Sequence, residues 1–243
     1  MMRYLNFVYR MLRRDARAGE LYLLVAALIV AVAALTAVGF FTDRVRQALE
    51  REANQLLGAD MLLTADHPWK PDLRIAAQAR GLSVVETQTF PSMVSIGEGD
   101  GLRAQLADIK AVEAGYPLRG ALRISDGVAA TDRRADGVPE PGAIWIDERL
   151  AATLAAGVGE RIAVGQRVLR IDAILTFEPD RGLNFFSVAP RLLMNVMDVP
   201  STALIQPGSR IRYRLLFSGE LKEINEFRSY VDKALERGER IED

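Results

Sequence analysis

The sequence predicts an α+β protein: one N-terminal transmembrane helix with a helical stalk, followed by a mixed α/β extracytoplasmic domain. Three observations lead there. Leu21–Phe41 reads LYLLVAALIVAVAALTAVGFF, without a charge. The next stretch, Thr42–Leu57, keeps helical spacing but turns polar and charged. From Ala59 onward, short β-branched and aliphatic runs alternate with three helical patterns and with Gly- and Pro-rich turns.

The apolar stretch comes first because the rest is tethered to it. As a helix rising about 1.5 Å per residue it spans roughly 31 Å, close to the roughly 30 Å hydrocarbon core of a bilayer. Thr36 is its one polar side chain, and a Thr can bond back to its own helix. Tyr22 at one end and Phe40–Phe41 at the other suit the membrane interfaces. A cleaved signal peptide has an apolar segment of about 7–15 residues and a small-residue cleavage site; here Thr42-Asp43-Arg44 follows instead. Arg3, Arg10, Arg13, Arg14 and Arg17 precede the span, whereas Arg44, Arg46 and Arg51 follow it. That bias puts the N-terminus in the cytoplasm and residues 42–243 outside it. Within the leader, residues 1–20, the spacing of Tyr4, Leu5, Phe7, Val8, Met11 and Leu12 makes one apolar face opposite arginines. Such a helix would lie in the headgroup plane of an anionic leaflet.

Thr42–Leu57 holds neither Pro nor Gly, so the membrane helix is expected to continue as a stalk, with Val45, Leu49 and Leu56 on one side and Gly58 as its stop. Ala59–Ala65 is a strand. Pro71–Arg80 is a helix with Pro in its first turn and Gly81 after it. Leu82–Thr89 is a strand that Pro91 should break or bulge. Ser92–Ile96 and Leu102–Ile109 flank a glycine-rich hairpin turn at 97–101.

A link containing Gly-Tyr-Pro-Leu-Arg-Gly at 115–120 follows, and Thr131–Pro141 reads as a loop. Ala143–Ile146 is a strand, and Asp147 caps a helix that Gly157 and Gly159 should end. Arg161–Val164, Val168–Phe177, Leu192–Met197 and Ser209–Phe217 are strands. Glu220–Arg237 is a helix with Leu221, Ile224, Phe227, Val231 and Leu235 on one face. The expected split β-α-β core therefore comprises residues 58–110 and 209–237, with 111–208 inserted as a β-rich subdomain and 238–243 as a tail.

Composition removes most chemistries. Net charge is −1 and the leader alone carries a net +3, leaving about −4 for the rest, so no nucleic-acid surface is expected. Without Cys there is no disulfide, thiol nucleophile or thiolate metal site. His67 stands alone in Ala-Asp-His-Pro-Trp, which reads as a loop. No HExxH, GxSxG or Gly-Lys-Ser/Thr phosphate loop occurs, so no catalytic, metal or cofactor residues are assigned and the chain is not read as an enzyme. Asp147-Glu148 is explained by helix capping. Phe177–Pro207 stands apart. There, Asp180-Arg181-Gly182 forms a turn beside the adjacent aromatics Phe185 and Phe186. In a strand those rings face opposite ways, so at most one faces a core. Arg181, Phe185 and Phe186 are thus candidate contacts for a partner or hydrophobic ligand; packing between the two subdomains is the alternative.

Several motifs, in order, resemble a known family. Leu-Gly-Ala-Asp at 57–60 and Gly-Tyr-Pro-Leu-Arg-Gly at 115–120 are two of them. Asp-Arg-Gly-x-Asn-Phe-Phe-Ser at 180–187, Ala-Pro-Arg-x-Leu-Met-Asn at 189–195 and Gly-Ser-Arg-Ile-Arg-Tyr-Arg-Leu-Leu at 208–216 are the others. Together they resemble YbbP-like permeases of the MacB/FtsX-like ABC transporter permease family. The match is to the N-terminal portion: first membrane helix plus first extracytoplasmic domain. The resemblance implies a subunit in the bacterial inner membrane that works with a cytoplasmic ABC ATPase and with the remaining permease membrane helices. It implies an extracytoplasmic domain, itself an interrupted α/β unit, that moves with ATP hydrolysis and acts on a lipophilic substrate or an envelope protein. Such permeases have several membrane helices and this sequence shows one, so it is expected to be part of a longer permease. The rival expectation is a single-pass, membrane-anchored binding or adaptor module.

Overall fold

The computed structural model describes residues 20–183, 189–206 and 208–242; the leader pattern at 3–18 and the side chains of Leu49 and Leu56 lie outside the described residues. Helix α1 runs unbroken from Glu20 to Leu57. Its stretch Tyr22–Arg46 is long and apolar enough to cross a membrane, and none of it is buried against the rest of the chain. The Thr36 hydroxyl donates to the Val32 carbonyl at 2.7 Å and the Thr42 hydroxyl to Val38 at 2.9 Å, so both polar side chains are satisfied within the helix.

Residues 53–243 form the second unit, which is built on one extended sheet. Strand β1 (Met61–Ala65) leads through α2 (Pro71–Gln78) into β2 (Ser83–Ile96). Strand β10 (Arg212–Ser218) lies between β1 and β2 and is antiparallel to both, so β1 and β2 are parallel and the β-α-β unit is split as expected. Helix α5 (Leu221–Ala234) shares one face with α2. There Met61, Leu63, Leu215 and Phe217 from the sheet bury Ala77, Ile224, Phe227 and Val231 from the helices. The Phe217 and Phe227 rings sit 5.0 Å apart and tilted, a geometry worth about 0.5–1.5 kcal/mol beyond the area buried. Leu221, expected on this face, is exposed because it starts the helix, ahead of the sheet's edge.

Beyond the hairpin turn at Gly99–Gly101, β3 (Arg103–Val112) pairs with the whole upper part of β2. The intervening stretch then supplies β4 (Arg123–Ser125), β5 (Arg133–Arg134), β6 (Ala143–Asp147), α3 (Glu148–Leu154), β7 (Arg161–Val164), β8 (Arg167–Phe177) and β9 (Arg191–Asn195). These extend the same sheet. Moreover, β2–β3–β9–β6–β8–β7 returns to β2 through Val94↔Val164 and Ser95↔Ala163, closing a ring of six strands. Its interior is apolar: Val94, Ile109, Ile144, Ile162, Leu169, Ile171 and Met194, joined by Leu150 and Leu154 of α3. The short helix α4 (Val199–Thr202) follows β9.

Four expectations need correction. Strand β2 passes straight through Pro91 without a bulge. The Asp108 N–H opposite it points away to the Pro190 carbonyl, so the pair is not hydrogen-bonded and the missing N–H of Pro91 faces the other edge. On that edge β10 has ended at Thr89 and β7 begins only at Val94, so no partner is lost. Helix α3 stops at Ala155, which is left-handed at φ 42°, before Gly157 is reached. Short strand β5 occupies part of the stretch read as a loop, and it pairs with β4, which lies just beyond the stretch read as a link. Finally, the tail is ordered: β11 (Arg240–Glu242) adds to the free edge of β1.

Candidate functional site

The first chemistry-bearing feature lies where α1 ends. Gly58 takes φ +71°, the left-handed turn that lets the chain leave a helix without a Cβ clash. Its carbonyl accepts the Arg119 N–H at 2.9 Å. Two residues on, the Asp60 carboxylate accepts Arg119 Nε at 2.9 Å and Nη2 at 2.7 Å, a forked pair, and the Gly219 N–H at 3.1 Å. Two stretches distant in sequence, at Arg119 and Gly219, therefore hold the first residues after the helix, 58–60.

The second feature is buried beside it. A Cβ placed on Gly58 would stand 3.5 Å from Pro117 and 4.0 Å from the Asp180 side chain. Asp180 belongs to a cluster around Lys110, whose side chain is 1 % exposed. Lys110 Nζ donates to Glu178 at 2.8 Å and to both oxygens of Asp180 at 2.7 and 2.6 Å, and it lies 2.7 Å from the Tyr116 hydroxyl. The Tyr116 hydroxyl in turn reaches Asp180 at 2.5 Å. Arg191 closes the other side, with Nε 2.9 Å from Glu178 and Nη1 2.7 Å from Asp108. Burial pushes the Glu178 carboxyl up, but Lys110 and Arg191 outweigh it and hold it at about 2. Burial, reinforced by Asp180 and Glu178, raises the Tyr116 phenol well above its ordinary value, so it stays a neutral donor.

This arrangement binds segments together. Both acids are buried and answered by cations, so neither is poised for acid–base work. Among the described residues, no group of three or more His, Asp or Glu side chains is placed to hold a metal ion. Arg181, the one candidate contact described, directs Nη2 to Asp147 at 2.5 Å. Asp147 also caps α3 by accepting the Leu150 N–H at 2.8 Å, which makes the expected cap a tie between the Pro179–Leu183 turn and α3. Phe185 and Phe186 lie outside the described residues. His67 is a loop residue, 3.0 Å from Asp66 and 3.4 Å from Glu239.

The cluster around Lys110 was missed from sequence. A Lys at the centre of Ile109-Lys110-Ala111-Val112 was its signal, because a cation inside an apolar strand demands a buried partner.

Residues of the motifs that carried the resemblance meet here: Asp60, Tyr116, Arg119, Asp180 and Arg191. The family model of the MacB-like periplasmic core domain matches residues 22–221. The chain belongs to that family. The uncharacterized ABC transporter permease YbbP of Escherichia coli (strain K12) is 33% identical over 218 residues, which cover 90% of this chain and 26% of that protein. The chain thus spans about a quarter of its relative's length. Among solved structures, the periplasmic region of MacB from Actinobacillus actinomycetemcomitans aligns with a TM-score of 0.49 at 14% identity, covering 78% of this chain and 91% of that one. The extracellular domain of the noncanonic ABC-type transporter YknZ from Gram-positive bacteria aligns at 0.47 and 10%, covering 75% and 100%. This MacB-like domain follows one apolar helix, and its family is that of ABC transporter permeases.

Proposed function

We propose that this chain is the N-terminal part of a permease that couples ATP hydrolysis by a separate cytoplasmic ATPase to movement of an extracytoplasmic domain. In this reading α1 crosses the bacterial inner membrane with its N-terminus in the cytoplasm. Its movement enters the domain at Gly58–Asp60, and the domain acts on a lipophilic substrate or an envelope partner. The chain itself carries out no catalysis. The observation that carries the reading is the grip on the helix exit: Arg119 holds both the Gly58 carbonyl and the Asp60 carboxylate, and Asp180 packs beside Gly58.

The physics suits a transmitter. A continuous helix has its backbone bonds internal and bends little without Pro or Gly, and α1 has neither between Thr42 and Leu57. The residues that receive it are fixed by forked and charge-assisted hydrogen bonds, which hold direction as well as distance. The Pro179–Leu183 turn, tied to the same cluster, leads directly into Phe185 and Phe186, which in this reading contact the substrate or partner. The ATPase and the remaining permease helices lie on other chains or other parts of the protein.

Inserting Gly-Gly-Pro after Ala48 of the complete permease tests this. ATPase binding and hydrolysis should persist while transport is lost. Full transport with the insertion would overturn the proposal.

A further inference from the structure

A cleft of about 700 Å³ opens on the sheet face that carries the Lys110 cluster, at the end where β2 passes from β10 to β7. Arg210, Arg212 and Arg240 line it, from β10, the segment before it and β11. Asp66 and Asp108 also line it, but Asp108 accepts Arg191 Nη1 and Asp66 bonds His67. The balance of the lining is therefore cationic. Arg210 has no ion-pair partner among the described residues, and Arg240 has only Glu242 at 3.2 Å, an acid it shares with Arg214.

The floor adds an independent observation. Across four strands, Arg240, Thr64, Arg214 and Thr87 stand opposite one another in a single row. Thr64 lines the cleft and is 6 % exposed, yet its hydroxyl finds no hydrogen-bond partner. The same holds for the Thr87 hydroxyl and for Arg214 Nε. Buried polar groups are otherwise almost always satisfied, because each one left unmade costs about 1–3 kcal/mol. Of the three, the Thr64 hydroxyl belongs to a residue that lines the cleft, and there a ligand can supply the missing acceptor.

We propose that this cleft binds a phosphate-class oxyanion. Guanidinium groups on separate segments line it together with Thr64. A tetrahedral anion offers acceptors in several directions at once, whereas a planar carboxylate satisfies one fork. Burial and the neighbouring Arg214 both disfavour the charged form of Arg212, so an anion in the cleft offsets repulsion already present. The source is either a free phosphate or the phosphodiester headgroup of a lipid.

The test is titration of the full chain in a neutral detergent with inorganic phosphate and, separately, with glycerophosphoglycerol, followed by calorimetry. Binding of at least one is expected; preference for the diester identifies a lipid headgroup, and preference for inorganic phosphate identifies a free anion. Arg210→Gln with Arg240→Gln should weaken binding by roughly tenfold per lost charge-assisted contact. Both side chains are exposed, so the fold should survive. Thr64→Val should weaken binding too while leaving the ligand-free melting temperature unchanged or raised, since the hydroxyl has no partner to lose. Arg103→Gln, at the distant end of the β2–β3 hairpin, removes the same charge and should change nothing. Absence of binding by both compounds, or binding that these cleft variants leave intact, would overturn the proposal.

Discussion

Lys110 is shut off from water, and three groups, Glu178, Asp180 and Tyr116, share its hydrogen bonds. Removing Lys110 would leave Asp180 beside Glu178 with Arg191 still on Glu178 but the shared cation gone, and breaking comparable buried pairs costs about 3–5 kcal/mol. The cluster therefore acts as a latch between β3, the Tyr116 link and the 178–183 turn. Its pH signature follows from Glu178. The carboxyl titrates near 4.5 when unperturbed and at about 2 in the fold, so the native form binds fewer protons than the unfolded chain. The stability it contributes is complete above about pH 4.5 and is lost as pH falls through about 2. Urea midpoints followed across that window should drop steeply in the parent chain and less steeply in Glu178→Gln; equal slopes would deny Glu178 this role. Phe185 and Phe186 make the opposite prediction. If they serve contact, replacing both with Ser leaves the melting temperature of the full chain nearly unchanged while transport by the complete permease falls. A core Phe truncation costs about 3–5 kcal/mol, so a large loss of stability would return them to the packing between subdomains. Single residues were legible in the sequence where their chemistry is local, as with the Asp147 cap. The partners of Lys110 lie up to seventy positions away, and no spacing rule connects them.

Among the elements, those driven by local pattern were read closely: α1, the 97–101 hairpin, β7–β8 and α5 all stand near their expected places. The errors share one cause, tertiary context. Pro91 is harmless in β2 because its edge has no neighbour at that point, and β11 exists because β1 offers a free edge that a short tail can cover. Neither fact is written in the local sequence. The sidedness of α1, by contrast, is argued from its flanks, five arginines before the span and three after it. The chain contains no Cys, so Asp100→Cys or Asp136→Cys introduces a single thiol, each at an exposed loop position. Both should react with a membrane-impermeant reagent in intact spheroplasts. Labelling only after lysis would reverse the orientation.

For the molecule as a whole, the second unit joins a split β-α-β sheet and a six-stranded ring by two long shared strands, β2 and β3. In the proposed coupling, strands that belong to both parts are the elements that transmit displacement from one to the other. The split core was legible because strands and helices alternate in the order that topology demands; the closed ring was not, since it depends on two residue pairs between β2 and β7. Family membership places this architecture in ABC permeases, and the grip of Arg119 on Gly58 and Asp60 gives the proposed coupling a physical address. The most direct measurement is a distance. Spin labels at Val38→Cys in α1 and Asp100→Cys at the hairpin tip, in the complete permease with its ATPase, should show a distance distribution that shifts when ATP is trapped. Adding Asp60→Ala and Arg119→Ala should abolish that shift while ATP hydrolysis continues. An unchanged shift in the doubly substituted protein, or none in the parent, would contradict the account.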